Sequence, residues 1–246
     1  MLKTTLYHIV FFVVILFTSN QSSASLYIDI NIYSTVAIYK TDITIFSGKY
    51  ELYDANKNLI CELYKNSMLT IHTKGAKIEI YQDKKLLGQS SSFFLKGTGF
   101  LNTFKVSPIK PAYAIRIYDD NLYIKSKNNA ITLINNVDLE KYIAGVVESE
   151  GGGSTKDIDF FLVQSIACRT YALANIRKHW NDGFHLCDEV HCQVYKGRAT
   201  LSYVTMATFR TTGKVIVDET NKMISAAFHS NSGGQTMNSE DVWTLK

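Results

Sequence analysis

The periodicity of this sequence switches once, near Asp138, and that switch constrains the fold more than any other feature. From 26 to 135 the chain reads as strand after strand: LYIDINIY, TVAIYK, DITIFSGKYELYD and AKIEIYQ alternate or run apolar, rich in β-branched and aromatic residues. Turn signals separate these runs, among them Lys74-Gly75, Gly97-Thr98-Gly99 and Asn128-Asn129. Period-two alternation puts successive side chains on opposite faces of a strand. No nucleotide loop occurs here, and the few His and acids are scattered.

Past the switch the period becomes helical. DLEKYIAGVVESE sets Leu139, Tyr142, Ile143 and Val146 on one face, with Asp138 as the expected N-cap. Gly151-Gly152-Gly153 should end that helix. Ser154 and Asp157 then form an S-x-x-D capping pattern. Ile158, Phe161, Leu162, Ser165, Ile166, Arg169 and Leu173 recur at helical spacing, predicting a helix to about His179. Beyond it come a Cys/His-rich stretch at 185–192, strand-like KVIVD and MISAAFHS, and a polar glycine turn. The expected class is α+β. A β-rich region at 25–135 precedes a mixed region at 136–246, with two consecutive helices and a mostly antiparallel sheet.

The first 24 residues read as an export signal. Lys3 is followed by nine apolar residues, Ile9 to Phe17, then by polar residues and Ser22-x-Ala24 at a cleavage-like position. A membrane span needs about 20 apolar residues, and this run is shorter. The expected location is therefore the periplasm, the cell envelope or the outside. Cleavage after Ala24 removes Lys3 and no acid, so the formal charge falls from +4 to +3. That is too small a charge to argue for nucleic acid. The abrupt end at Trp243-Thr244-Leu245-Lys246 reads as a truncated sequence.

Three segments can carry chemistry. Glu150 closes the first helix, where a carboxyl can face a groove while packed elements hold its backbone. An acid working at neutral pH needs a raised pKa, which partial burial supplies. Glu148 lies two residues away, nearly opposite on a helix, so the two cannot form a facing pair. Ordinary glycoside hydrolysis uses two carboxyls about 5–9.5 Å apart, so a reaction needing one carboxyl fits better. His185, Cys187, His191 and Cys192 offer four nitrogen and sulfur ligands. They suit a closed, structural zinc site. A Cys187–Cys192 disulfide or two free thiols are the alternatives. Asp188 is placed to displace one ligand, whereas Cys168 reads as core packing. Last, the loop around Ser230, Ser232, Gly233 and Gly234 combines hydroxyls with glycines that admit close approach. It lacks the G-x-S-x-G elbow of a serine hydrolase. No organic cofactor is expected.

The ordered motifs VDLEKYIAGVVESE, VQSIACRTYAL, CDEVHCQVYKG and FHSNSGGQT with SEDVW resemble the sporulation stage II protein D family. The resemblance covers about 136–246. It implies a lytic transglycosylase that cuts peptidoglycan between muramic acid and glucosamine, leaves anhydro-muramyl ends and prefers peptide-stripped glycan. It implies Glu150 as acid/base. Arg169, Gln193, Tyr195, Ser230, Ser232, Gly233 and Gly234 are implied around the substrate. Cys187, His191, Cys192 and, as fourth ligand, His185 are implied at a zinc. The family often has Met-Pro after the catalytic Glu; Gly151-Gly152 here should loosen that turn. Some relatives enhance wall amidases without cutting, so a glycan-binding enhancer with an amidase partner is the alternative. A zinc hydrolase using His185, Cys187 and His191 is a third reading, without an H-E-x-x-H ligand spacing to support it.

Overall fold

A computed structural model describes residues 25–228 and Gly234. Residues 1–24, expected to be an export signal, most of the glycine turn at 229–236 and the C-terminal stretch lie outside these residues. The alternating runs form strands with inward apolar and outward polar side chains, as in β1 (Tyr27–Ile32), where Ile28, Ile30 and Ile32 are buried. Eleven more strands follow: β2 (Lys40–Ser47), β3 (Lys49–Asp54), β4 (Leu59–Tyr64), β5 (Met68–Lys74), β6 (Lys77–Gln82), β7 (Lys85–Ser90), β8 (Ser92–Gly97), β9 (Thr103–Lys110), β10 (Arg116–Asp119), β11 (Asn121–Lys127) and β12 (Ala130–Asp138). The six-stranded sheet has the order β10-β9-β2-β5-β6-β7. The other sheet has seven strands, ordered β13-β1-β12-β11-β8-β3-β4, with β13 (Leu186–Cys187) at its edge. Inward side chains of both sheets join one core, with β11 meeting β6 and β12 meeting β5 across it. All named pairings are antiparallel except β1 with β13.

That one parallel pairing ties the two halves of the sequence together. Ile30 lies opposite Leu186 and Asn31 opposite Cys187, while the other side of β1 pairs along its length with β12. The expected boundary between 135 and 136 falls inside β12, whose buried residues share the helices' core.

Three helices pack at the β1–β12–β13 end of the larger sheet. α1 (Leu139–Gly151) starts at Asp138, whose carboxylate accepts from the Glu140 and Lys141 amides, satisfying donors a helix start leaves free. Tyr142, Ile143, Val146 and Val147 face the core. α2 (Ile158–Ala174) is capped by Asp157, through the Asp159 amide. Ser154 does not begin α2. Its amide and hydroxyl both donate to Gly151 O and close the end of α1. α2 ends at Ala174, short of the expected His179, and a 3-10 turn, Trp180–Asp182, follows. α3 (Ser202–Arg210) completes the layer. KVIVD and the start of MISAAFHS form a hairpin with a single bridge, Val217 to Met223. Neither becomes a strand, because among the described residues no sheet neighbour pairs with them.

Candidate functional site

The last turn of α1 sends three consecutive side chains to the segment 194–201. Glu148 accepts from the Thr200 and Leu201 amides at 2.7 and 2.8 Å and from the Thr200 hydroxyl at 2.7 Å, serving the start of α3. Ser149 Oγ accepts from the Lys196 amide at 3.0 Å and donates to Gly145 O at 2.7 Å. Glu150 Oε1 accepts from the Val194 amide at 2.8 Å. No hydrogen bond to its other oxygen is made among the described residues.

Glu150 lines an open groove of about 580 Å³ with Tyr171, Asn175, Lys178, Val190, His191, Cys192, Ser225, Ala227 and Phe228. It is the only carboxylate among those lining residues. Tyr171, Asn175 and Lys178 follow the i, i+4, i+7 spacing of one helical face, continued past the end of α2. Lys178 donates to the Tyr171 hydroxyl at 3.3 Å and to His191 O, which fixes its ammonium in the groove. Beneath this face Cys168 is buried. Burial pushes its thiol up, and the Glu150 charge adds to the effect. The glycine turn after Glu150 is held rather than loose: Gly152 N–H donates to Glu148 O, and Gly152 O accepts from the Tyr203 hydroxyl at 3.1 Å.

One wall of the groove leads into a cluster of His179, Cys187, His191 and Cys192, whose ligand atoms all lie within 4.8 Å of one another. Tetrahedral zinc with bonds of about 2.0–2.3 Å needs ligands roughly 3.5 Å apart, so a small contraction suffices. Both sulfurs face His191 Nδ1 at 3.8 Å, and neither cysteine is bridged. The Cys192 thiol hydrogen-bonds the Cys187 sulfur and pulls the Cys187 thiol well down, while the same bond pushes Cys192 up. A thiolate is the form that ligates metal. His179 Nδ1 meets Asp182 Oδ2 at 3.3 Å, and its buried Nε2, which faces the Cys187 thiol, makes no regular hydrogen bond among the described residues. A carboxylate on one ring nitrogen and a free second nitrogen is the usual arrangement of a metal-binding histidine. The donor set fits zinc, with His179 in the place expected for His185. His185 Nδ1 instead accepts from the Asp29 amide at 2.8 Å. Asp188 faces away, held by the Tyr33 and Ser34 amides, the Ser34 hydroxyl and Arg116.

Residues 127–224 match the sequence model of a family described as Stage II sporulation protein. Stage II sporulation protein D of Bacillus amyloliquefaciens is 33% identical over 127 residues, 45% of this chain and 36% of that protein. Its counterpart in Bacillus subtilis strain 168 is 31% identical over 158 residues, 58% of this chain and 42% of that protein. Residues 127–224 belong to the Stage II sporulation protein family. The chain spans well under half the length of these relatives. An uncharacterized protein of Brachyspira hyodysenteriae is 28% identical over 128 residues, 51% of this chain and 34% of that one.

Within this Stage II sporulation protein region, burial separates the motif residues. Arg169 is 1% exposed and does not reach the groove. Its guanidinium grips Glu140 through two bonds, at 2.9 and 2.5 Å, and donates to Lys214 O and Thr208 O. Gln193 is also buried, accepting from the Tyr142 hydroxyl and donating to Cys168 O, both at 3.3 Å. Tyr195 is fully buried, bonded to Asn135 Oδ1 at 3.0 Å and packed against Tyr118 and Tyr142. These three, expected at the substrate, hold the scaffold instead. Ser230, Ser232 and Gly233 lie outside the described residues, and Gly234 is exposed with a left-handed φ of 95°. Sequence reasoning missed Asn175 and Lys178, whose signal was their helical spacing from Tyr171. It also missed His179, which that spacing does not place, because α2 has ended at Ala174 and His179 caps the 3-10 turn that follows.

Proposed function

We propose that the groove binds a glycan strand of the cell wall and that Glu150 cuts it by lytic transglycosylation. The observation that carries this reading is the single carboxylate in the groove, held by the Val194 amide at 2.8 Å. One carboxyl suffices when the sugar supplies its own nucleophile. Glu150 as the acid protonates the glycosidic oxygen, and the glucosamine leaves as an alcohol. The C6 hydroxyl of the muramic residue bonds to the anomeric carbon. Its proton passes to the Glu150 carboxylate, which restores the acid. The product is a 1,6-anhydro end, and no water is consumed.

The groove's other residues suit a peptide-stripped strand. Tyr171 and Phe228 offer ring surface, Asn175 and Ser225 offer hydrogen bonds, and Lys178 offers a cation to a lactyl carboxylate. His179, Cys187, His191 and Cys192 would hold a structural zinc. Two nitrogens and two sulfurs close a tetrahedron and leave no position for water, which argues against a zinc hydrolase. Bound there, the metal supplies a cross-link between the loop after β13 and the end of α2. The leader at 1–24 would send the protein to the envelope, where this substrate lies.

The second reading is a glycan-binding enhancer of a wall amidase, favoured by the exposure of Glu150 in an open groove. Incubation of the full chain with peptide-stripped glycan, with mass spectrometry of the released ends, separates the two. Anhydro-muramyl ends are expected. Retention on the glycan without such ends supports the enhancer, and neither retention nor ends defeats both readings.

A further inference from the structure

The outer face of the larger sheet carries a row of aromatic rings far along the sheet order from the helices. Tyr53 on β3 lies opposite Phe94 on β8, and Phe94 lies opposite Tyr123 on β11. The Phe94 and Tyr123 rings stack at 4.4 Å with 20° between their planes. With strands about 4.8 Å apart, the row is about 10 Å long. It floors a cleft of about 550 Å³ whose charged lining is Lys57, Lys96, Lys125 and one carboxylate, Asp54. No residue is shared between this cleft and the Glu150 groove.

Cross-strand aromatic pairs stabilise a sheet on their own, which accounts for the rings. It does not account for the charges around them. None of the three lysines has an ion-pair partner among the described residues; Lys125 Nζ rests 5.6 Å from the centre of the Tyr123 ring. The nearby acids are already engaged. Asp54 accepts from the Asn56 and Asn58 amides and the Asn58 side chain, building the turn that presents Lys57. Glu51, opposite Lys96 in register, accepts from the Tyr53 hydroxyl at 2.5 Å. The cleft thus joins ring faces to uncommitted cations.

We infer that this cleft is a second binding site for a peptide-stripped glycan strand, an inference that rests on the proposed function of the groove. Sugar rings present apolar C–H faces that pack on aromatic faces. Removal of the peptides bares a carboxylate on each muramic residue, and the lysines are the complementary charges. The β-rich half thereby holds the strand while the helical half cuts it. Lysine recognition of exposed carboxylates is weakened by salt.

The test uses the full chain, insoluble peptide-stripped glycan, the same glycan with its carboxyls reduced to alcohols, and a short soluble oligosaccharide. Lys57→Ala, Lys96→Ala and Lys125→Ala are combined in one variant, since all three side chains reach solvent. The expected result is at least a tenfold loss of retention on stripped glycan and a flatter salt dependence. Its cutting of the short oligosaccharide stays at the wild-type rate. Tyr53→Ala is expected to weaken retention on both glycans, and carboxyl reduction to weaken the wild type. Wild-type retention by the lysine variant overturns the inference, and so does equal wild-type retention on a polyphosphate. If the lysine variant binds normally while Glu150→Gln loses cutting, the second site fails and the groove reading stands. If the wild type forms no anhydro ends while the lysine variant loses retention, the second site stands and the cutting reading fails.

Discussion

Arg169 and Tyr171 lie two residues apart on α2 and meet different surroundings. Arg169 turns inward to Glu140 and the carbonyls of Thr208 and Lys214, joining α1, α2 and the end of α3. Tyr171 turns outward to Lys178 and the groove. On α1 the two roles divide without such an opposition: Glu148 braces the start of α3 and Glu150 lines the groove, while both accept from amides of the 194–201 segment. On α2 residues two apart face nearly opposite ways, so one short motif supplies both scaffold and site. A motif match therefore names a segment, and burial assigns the role of each residue within it.

The strongest way to break this contrast is at the inner face. Arg169→Ala leaves the Glu140 carboxylate and two carbonyls without their partner. Loss of one member of a buried pair costs about 3–5 kcal/mol. Denaturant unfolding should show that loss, and a glycan-affinity change with unchanged stability would move Arg169 to the groove side. Next comes the His179–Cys187–His191–Cys192 cluster, proposed to hold zinc. His179→Ala should lower zinc affinity by more than the roughly 10–100-fold that losing a supporting partner costs. His185→Ala should leave zinc content intact, because its Nδ1 is engaged by Asp29. Metal analysis after dialysis reads both, and the reverse ranking restores His185 as ligand.

Smaller effects sharpen the comparison. A Cβ on Gly145 would meet Gly197 O at 2.3 Å and the Tyr195 ring at 2.5 Å. Gly145→Ala should destabilise by about 1–3 kcal/mol, the usual cost of overpacking, read as a lower unfolding midpoint. Tyr171→Ala on the outer face should weaken retention on stripped glycan about fivefold, equivalent to about 1 kcal/mol, with little change in that midpoint.

Much of the scaffold was legible in the sequence. Alternation located the β-rich region, and the Asp138 cap with the apolar positions after it located α1. Cys187, His191 and Cys192 are close enough in sequence to suggest their shared cluster. The losses have definite causes. α2 stops at Ala174 although helical spacing continues to Lys178, because Asn175 leaves the helix at φ −107°. KVIVD carries strand composition, but a strand needs a neighbour to pair with. Arg169, Gln193 and Tyr195 are polar residues that are buried with satisfied hydrogen bonds, and sequence pattern does not distinguish these from polar residues lining a groove.

The central claim is that Glu150, and not Glu148, moves the proton in strand cleavage. The direct measurement is the rate at which Glu150→Gln forms anhydro-muramyl ends on stripped glycan, with the unfolding midpoint recorded beside it. The account predicts a fall of about 10²–10⁴-fold at an unchanged midpoint. Ends formed at the wild-type rate by a folded Glu150→Gln protein would contradict it.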